Sequence, residues 1–207
     1  MAIYKNLKKA LADSDNAFTL NIKTKGEKLP SELIDLPKLE ALYIKSTELS
    51  NLDFPFEKLT KLKVFYVGSP KLQTLTESIL THPTLETLSA TDSNIQELEL
   101  RPNLNLNLKT LLLNKNKMTS VPKYLEHLES LENLNLSDNQ LTELPEVLRL
   151  LNNLKTLSLN RNQLTTLPIE LVKNWKSLHS LSLDGNKFDE ETKDIIEQEL
   201  NYWFGEL

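Results

Sequence analysis

The sequence predicts an α/β solenoid, a right-handed coil of repeated turns with a parallel β-sheet on its concave side and short helical turns on its convex side. Three observations carry this. Leucine supplies 46 of the 207 residues, over a fifth of the chain. The leucines keep a fixed period: Leu108, Leu131 and Leu154 lie 23 apart and open the phrases LKTLLLNKNKM, LENLNLSDNQL and LKTLSLNRNQL. Within each phrase apolar and polar residues alternate, as Leu134 and Leu136 do with Asn133 and Asn135, which is the period of a half-buried strand.

From the N-terminus, Ile3, Tyr4, Leu7, Ala10 and Leu11 fall at helical spacing and predict an amphipathic cap helix within residues 1–16 that covers the first coil. A degenerate unit at 17–38 keeps Leu20, Ile22 and Leu29-Pro30. Units then open at Leu39, Leu62, Leu85, Leu108, Leu131, Leu154 and Leu178, giving about eight repeats over 17–188. After each of the later strands stands an asparagine (Asn116, Asn139, Asn162, Asn186) whose inward amide can satisfy backbone groups that burial would orphan. The earlier units carry Thr47, Pro70 and Ser93 at that position. Leu144-Pro145 and Leu167-Pro168, with Leu148 and Leu151, predict an outer arc of short helical or 3₁₀ turns. His82-Pro83 interrupts this arc, and residues 97–107 replace it with an alternating stretch that predicts an extra short strand. Asp189 is a candidate N-cap for a closing helix over 189–207, with Thr192, Ile195, Ile196, Leu200, Trp203 and Phe204 on its apolar face. The whole chain, 1–207, reads as one domain.

The phrase L-x-x-L-x-L-x-x-N-x-L, in phase over residues 17–188, resembles the leucine-rich repeat family. The 23-residue form with Leu-Pro is similar to repeats of bacterial cytosolic and effector proteins and of Ras-associated scaffolds. The resemblance implies the horseshoe fold and a protein-interaction role, and it names no partner.

Composition narrows the chemistry. A net charge of −5 argues against nucleic-acid binding, which rests on clustered Lys and Arg. With no cysteine there is no disulfide, thiolate metal site or cysteine nucleophile. His82, His127 and His179 fall in unrelated places, so no metal site is expected, and no phosphate-binding or nucleophile-elbow motif occurs. We therefore expect no catalytic residue and no cofactor. The start Met1-Ala2-Ile3-Tyr4-Lys5-Asn6 lacks a secretory h-region and no stretch is apolar enough for a membrane helix, so a cytoplasmic protein that does not span a membrane is expected, as a monomer.

Stacked strands turn equivalent positions into columns. One reads Glu40, Lys63, Glu86, Lys109, Glu132, Lys155, His179, and another Asp92, Lys115, Asp138, Arg161. Alternating signs predict self-satisfied ladders and no strong field on the concave face. The central outward column reads Asn21, Tyr43, Tyr66, Ser89, Leu112, Asn135, Ser158, Ser182. Its apolar members gather early, and with Val64 from the neighbouring column they give the candidate partner-binding residues Tyr43, Val64, Tyr66 and Leu112. The expected function is a non-enzymatic module that binds a protein or peptide through this face. The alternative is a secreted bacterial effector that modulates a host protein without a catalytic site.

Overall fold

The computed structural model describes residues 2–98, 107–121 and 123–200. In chain order its strands are β1 (Ile3–Tyr4), β2 (Thr19–Thr24), β3 (Ala41–Ser46), β4 (Val64–Gly68), β5 (Thr74–Leu75), β6 (Thr87–Ala90), β7 (Glu97–Leu98), β8 (Thr110–Leu112), β9 (Asn133–Asn135), β10 (Thr156–Ser158) and β11 (Ser180–Ser182). Nine of them form one parallel sheet in the order β1-β2-β3-β4-β6-β8-β9-β10-β11, while β5 and β7 pair in a separate two-stranded sheet. Sequential parallel strands need a crossover each time, and here every crossover runs the same way round one core, which is the solenoid that the 23-residue period predicts. The β5–β7 pair, with Thr74 opposite Glu97 and Leu75 opposite Leu98, supplies the extra short strand expected near residue 97. Residues 99–106 of that stretch lie outside the described residues.

Strand alternation decides which side chains are buried. Leu42 and Ile44, Phe65 and Val67, Leu88 and Ala90, Leu134 and Leu136, and Leu157 and Leu159 point inward and join one continuous core. The outer arc adds Leu33, Phe56, Leu125, Leu148 and Leu171 from short turns. These are 3₁₀ turns at Ser31–Asp35, Phe56–Lys58, Lys123–His127 and Glu146–Leu150, and the helices α2 (Glu77–Leu80) and α3 (Ile169–Asn174). Each fully buried leucine stabilises the coil by about 1.5–3 kcal/mol relative to an exposed one. Phe56 packs against Phe54 and Phe65 at centroid distances of 5.0 and 5.1 Å. His82, only 2% exposed, sits against this cluster with Nε2–H donating to the Phe56 carbonyl at 3.1 Å.

The asparagines act as the sequence predicts. Asn139 donates to the carbonyls of Leu113 and Leu136 at 2.9 and 3.0 Å and accepts the Met118 amide at 3.1 Å. Asn116, Asn162 and Asn186 repeat the pattern, each bridging its own turn to the preceding strand's end and to the outgoing chain. In the early units the role moves one residue upstream. Ser46 and Ser69 are buried, Ser46 accepting the Leu49 amide at 2.9 Å and Ser69 donating to the Leu49 carbonyl at 2.6 Å. These hydroxyls bond the amide and carbonyl of Leu49 in the outgoing chain, whereas the asparagine amides donate to strand-end carbonyls. Thr47 and Pro70 are left exposed, whereas Ser93 stays buried and accepts the Ser69 amide at 3.1 Å.

The N-terminal end departs from the expected cap. At the N-terminus Ile3 and Tyr4 are extended and pair with Thr19 and Leu20, so the helix α1 covers only Leu7–Leu11 and a 3₁₀ turn occupies Ser14–Asn16. An open sheet edge offers unpaired backbone groups, and two residues of strand satisfy them better than a helix side could. Ile3 is 61% exposed in consequence, while Ala10 is buried and Leu7 and Leu11 pack on the core. The Tyr4 hydroxyl donates to Asp13 and fixes the strand to the turn. At the C-terminus Asp189 caps α4 (Glu190–Ile195) by accepting the Thr192 amide at 2.8 Å, and a π-turn follows at Ile196–Leu200. Thr192 and Leu200 are buried and Ile196 packs on the core, whereas Trp203 and Phe204 lie outside the described residues.

Candidate functional site

The outward column is assembled as the period predicts. Asn21 opposes Tyr43, Tyr43 opposes Tyr66, Tyr66 opposes Ser89, and Ser89 opposes Leu112 across successive parallel strands. The column continues through Asn135, Ser158 and Ser182. This sheet face is the concave one in a solenoid of this class. The Tyr43 and Tyr66 rings stack at 5.0 Å between centroids, with 24° between their planes, and both residues remain half-buried. Val64, beside Tyr66 on β4, opposes Ala41. These three form one apolar surface. Leu112 is half-buried on β8, two strand spacings or about 10 Å from Tyr66. Ser89, 1% exposed, lies between them as a floor, so Leu112 borders the tyrosine surface without joining it.

The flanking charges resolve into discrete pairs. Lys63 bonds Glu40 at 3.3 Å, Lys109 bonds Glu86 at 3.1 Å and Lys155 bonds Glu132 at 2.7 Å, always glutamate to the lysine one repeat later. The hydrogen bond from Lys155 holds the Glu132 carboxyl below the usual carboxylate range, with Lys109 adding to the effect. The second column lies in the turns that leave the strands. Asp92, Lys115, Asp138 and Arg161 all have φ between 51° and 58°, a region that favours glycine. Gly185 occupies the next such turn with φ 70°, where a Cβ would come within 3.0 Å of the Arg161 side chain. The tight turn forces this geometry, and ion pairs accompany it. Arg161 grips Asp138 bidentately at 2.5 and 2.7 Å, and Lys115 reaches Asp92 at 3.6 Å.

One row escapes this neutralisation. Lys23 and Lys45 oppose each other on β2 and β3, and the next position, on β4, is Gly68. Both lysines are exposed, and neither forms an ion pair with any described residue; the same holds for Lys5 just after β1. The N-terminal end of the face is therefore locally positive, which the expectation of no strong field missed. The signal was present in the sequence: the column two residues past Tyr43 starts Lys23, Lys45, with no acid between them. A shallow depression lies above the stack, lined by Asn21, Tyr43, Lys45, Tyr66, Gly68 and Asp92 among others. A second, lined by Lys5, Asn21 and Lys23, adjoins it.

The three histidines do not converge. His82 is buried, His127 stacks on Tyr124 in an outer turn at 6.1 Å, and His179 is exposed beside β11. Among the described residues no group of three or more His, Asp or Glu is placed to hold a metal ion, and no helix is long and apolar enough to cross a membrane.

Comparison with known proteins agrees with this geometry. A family model described as Leucine Rich repeats (2 copies) matches residues 106–149, and one described as Leucine Rich Repeat matches 153–175. No curated protein sequence matches the chain. Among solved structures, a leucine-rich repeat protein of Leptospira interrogans is similar at 27% identity and a TM-score of 0.71, over 90% of this chain and 53% of that one. An internalin, InlF, of Listeria monocytogenes is similar at 24% identity and a TM-score of 0.69, again over 90% of this chain and 53% of its own. The functional domain of InlJ from Listeria monocytogenes, which includes a cysteine ladder, is similar at 19% identity and a TM-score of 0.63, over 83% of this chain and 39% of that one. The two Listeria structures show the fold alone. The chain spans about half the length of the first two structures.

Proposed function

From the premise that this chain is a leucine-rich repeat protein, we propose that it is a non-enzymatic interaction module that holds a protein or peptide partner on the concave face of its sheet, centred on Tyr43, Val64 and Tyr66. Leucine-rich repeat proteins are typically non-catalytic interaction modules. The observation that carries the reading is the stacked, half-exposed tyrosine pair in a column whose C-terminal members are Asn135, Ser158 and Ser182. Rigid aromatic anchors bury large area at small entropic cost, which is why tyrosines concentrate binding energy at interfaces. Leu112 extends the apolar surface only when the partner also covers Ser89.

The test is affinity capture on the wild-type chain and on the Tyr43→Ala/Tyr66→Ala double variant, followed by mass spectrometry. The reading expects a partner retained by the wild type and lost by the variant. Partners retained equally by both would move the site off this surface. Translocation into host cells separates this module from the delivered-effector alternative.

A further inference from the structure

We infer that the partner presents an acidic segment: the tyrosine stack meets an apolar or aromatic side chain, and carboxylates next to it in the segment meet Lys45, Lys23 and Lys5. This rests on the concave-face reading above and adds the chemistry of what is bound there. Charge complementarity points to this occupant. Of the sheet's other columns, Lys63, Lys109 and Lys155 are each neutralised by a glutamate one repeat earlier, and Lys115 and Arg161 by aspartates. Among the described residues, only in the Lys23–Lys45 row do two lysines stand directly opposite each other on adjacent strands without an acid. Like charges so placed are destabilising, and exposure lets water relieve them until a partner carboxylate does so better. The nearest acid in the lining, Asp92, is engaged with Lys115 at 3.6 Å.

The shape agrees with the charge. The two adjoining depressions share Asn21 and form one trough running across the strands from Lys5 to Gly68. From β1 to β4 the trough covers three strand spacings, about 14 Å, the length of about four extended residues. Gly68 keeps the far end open beside Tyr66. A Cβ there would come within 3.1 Å of the Thr91 carbonyl, so a side chain would displace the backbone floor. An extended segment crossing the strands therefore meets cations first and the aromatic stack after them.

The experiment pans a phage library of random dodecapeptides on the full chain and measures the enriched sequences, synthesised with fluorescein, by anisotropy. The inference expects enrichment of Asp and Glu next to an aromatic or aliphatic residue. It also expects about tenfold weaker binding to the Lys23→Glu/Lys45→Glu variant, roughly 1.4 kcal/mol. Binding should weaken as salt rises towards about 1 M, where the Debye length falls to about 3 Å. A Lys23→Gln/Lys45→Gln variant, which removes charge without reversing it, should show a smaller loss in the same direction. Neutral or basic peptides whose binding still depends on Tyr43 and Tyr66 overturn the acidic inference and leave the concave-face reading standing. Peptides indifferent to both tyrosines and lysines, or no enrichment at all, overturn both. Inorganic polyphosphate that displaces the peptides at equal charge concentration makes this a general anion site and overturns the inference as well.

Discussion

At the scale of single residues, most of the architecture rests on groups that close backbone hydrogen bonds. Asn139 satisfies two carbonyls and one amide from three different segments, all of them buried or nearly so. Asn139→Ala leaves the buried Met118 amide without its acceptor and takes one of two side-chain donors from the Leu113 and Leu136 carbonyls, which keep Asn116 and Asn162, and it should destabilise the chain by about 2 kcal/mol in chemical denaturation. A cost below about 0.5 kcal/mol would contradict the role. His82 makes a different prediction. Burial pushes its pKa below the ordinary 6.5, against the opposing pull of the Phe56 and Leu59 carbonyls, and Nδ1 has no hydrogen-bond partner in its buried position. A depressed folded pKa means that the unfolded chain binds a proton first as pH falls. Stability is therefore full above pH 6.5 and is lost as pH drops from there through the folded pKa. Denaturation midpoints should decline over that range in the wild type and stay level in His82→Gln; identical slopes would remove His82 as the cause. The asparagine roles were legible in the sequence because they recur in phase. The burial of His82 was not, because one histidine beside a proline carries no period.

At the scale of elements, the strands and outer turns follow directly from the period, since each repeat places the same residue types at the same positions. The N-terminal end broke the pattern because a cap answers to an edge, not to a repeat. Ile3 and Tyr4 keep apolar helical spacing with Leu7 and Ala10, yet the open edge of β2 recruits them as a strand. Column reading recovered the charge ladders and overlooked only the Lys23–Lys45 row, where the ladder lacks its acids. The ladder is open to a direct test. Glu132 bonds Lys155 and lies in the field of Lys109, so Glu132→Lys should lower the melting temperature. Adding Lys109→Glu and Lys155→Glu should restore it. An unchanged melting temperature for Glu132→Lys would show that the pairs are incidental. A single pair this exposed stabilises only weakly, so the repeated alternation matters more than any one bond.

At the scale of the whole molecule, the repeats divide into two halves of different surface on one scaffold. From β9 to β11 the face carries Asn135, Ser158 and Ser182, the asparagine ladder is unbroken and the charges nearest the strands pair. From β1 to β4 the consensus weakens, buried serines replace the asparagines, and aromatic and cationic side chains come outward. Repeat proteins permit this because each unit is supported by its neighbours, so one end can vary its surface while the other keeps the frame. On the proposed function, binding energy concentrates at the irregular end. The most direct measurement is the Kd of the captured partner for Tyr43→Ala, Tyr66→Ala, Ser158→Ala and Ser182→Ala. Each tyrosine variant should lose about 2 kcal/mol or more, roughly a thirtyfold rise in Kd, with little change for either serine variant. Unchanged affinity in both tyrosine variants, with losses at Ser158 and Ser182, would contradict the account and place the binding surface on the regular half.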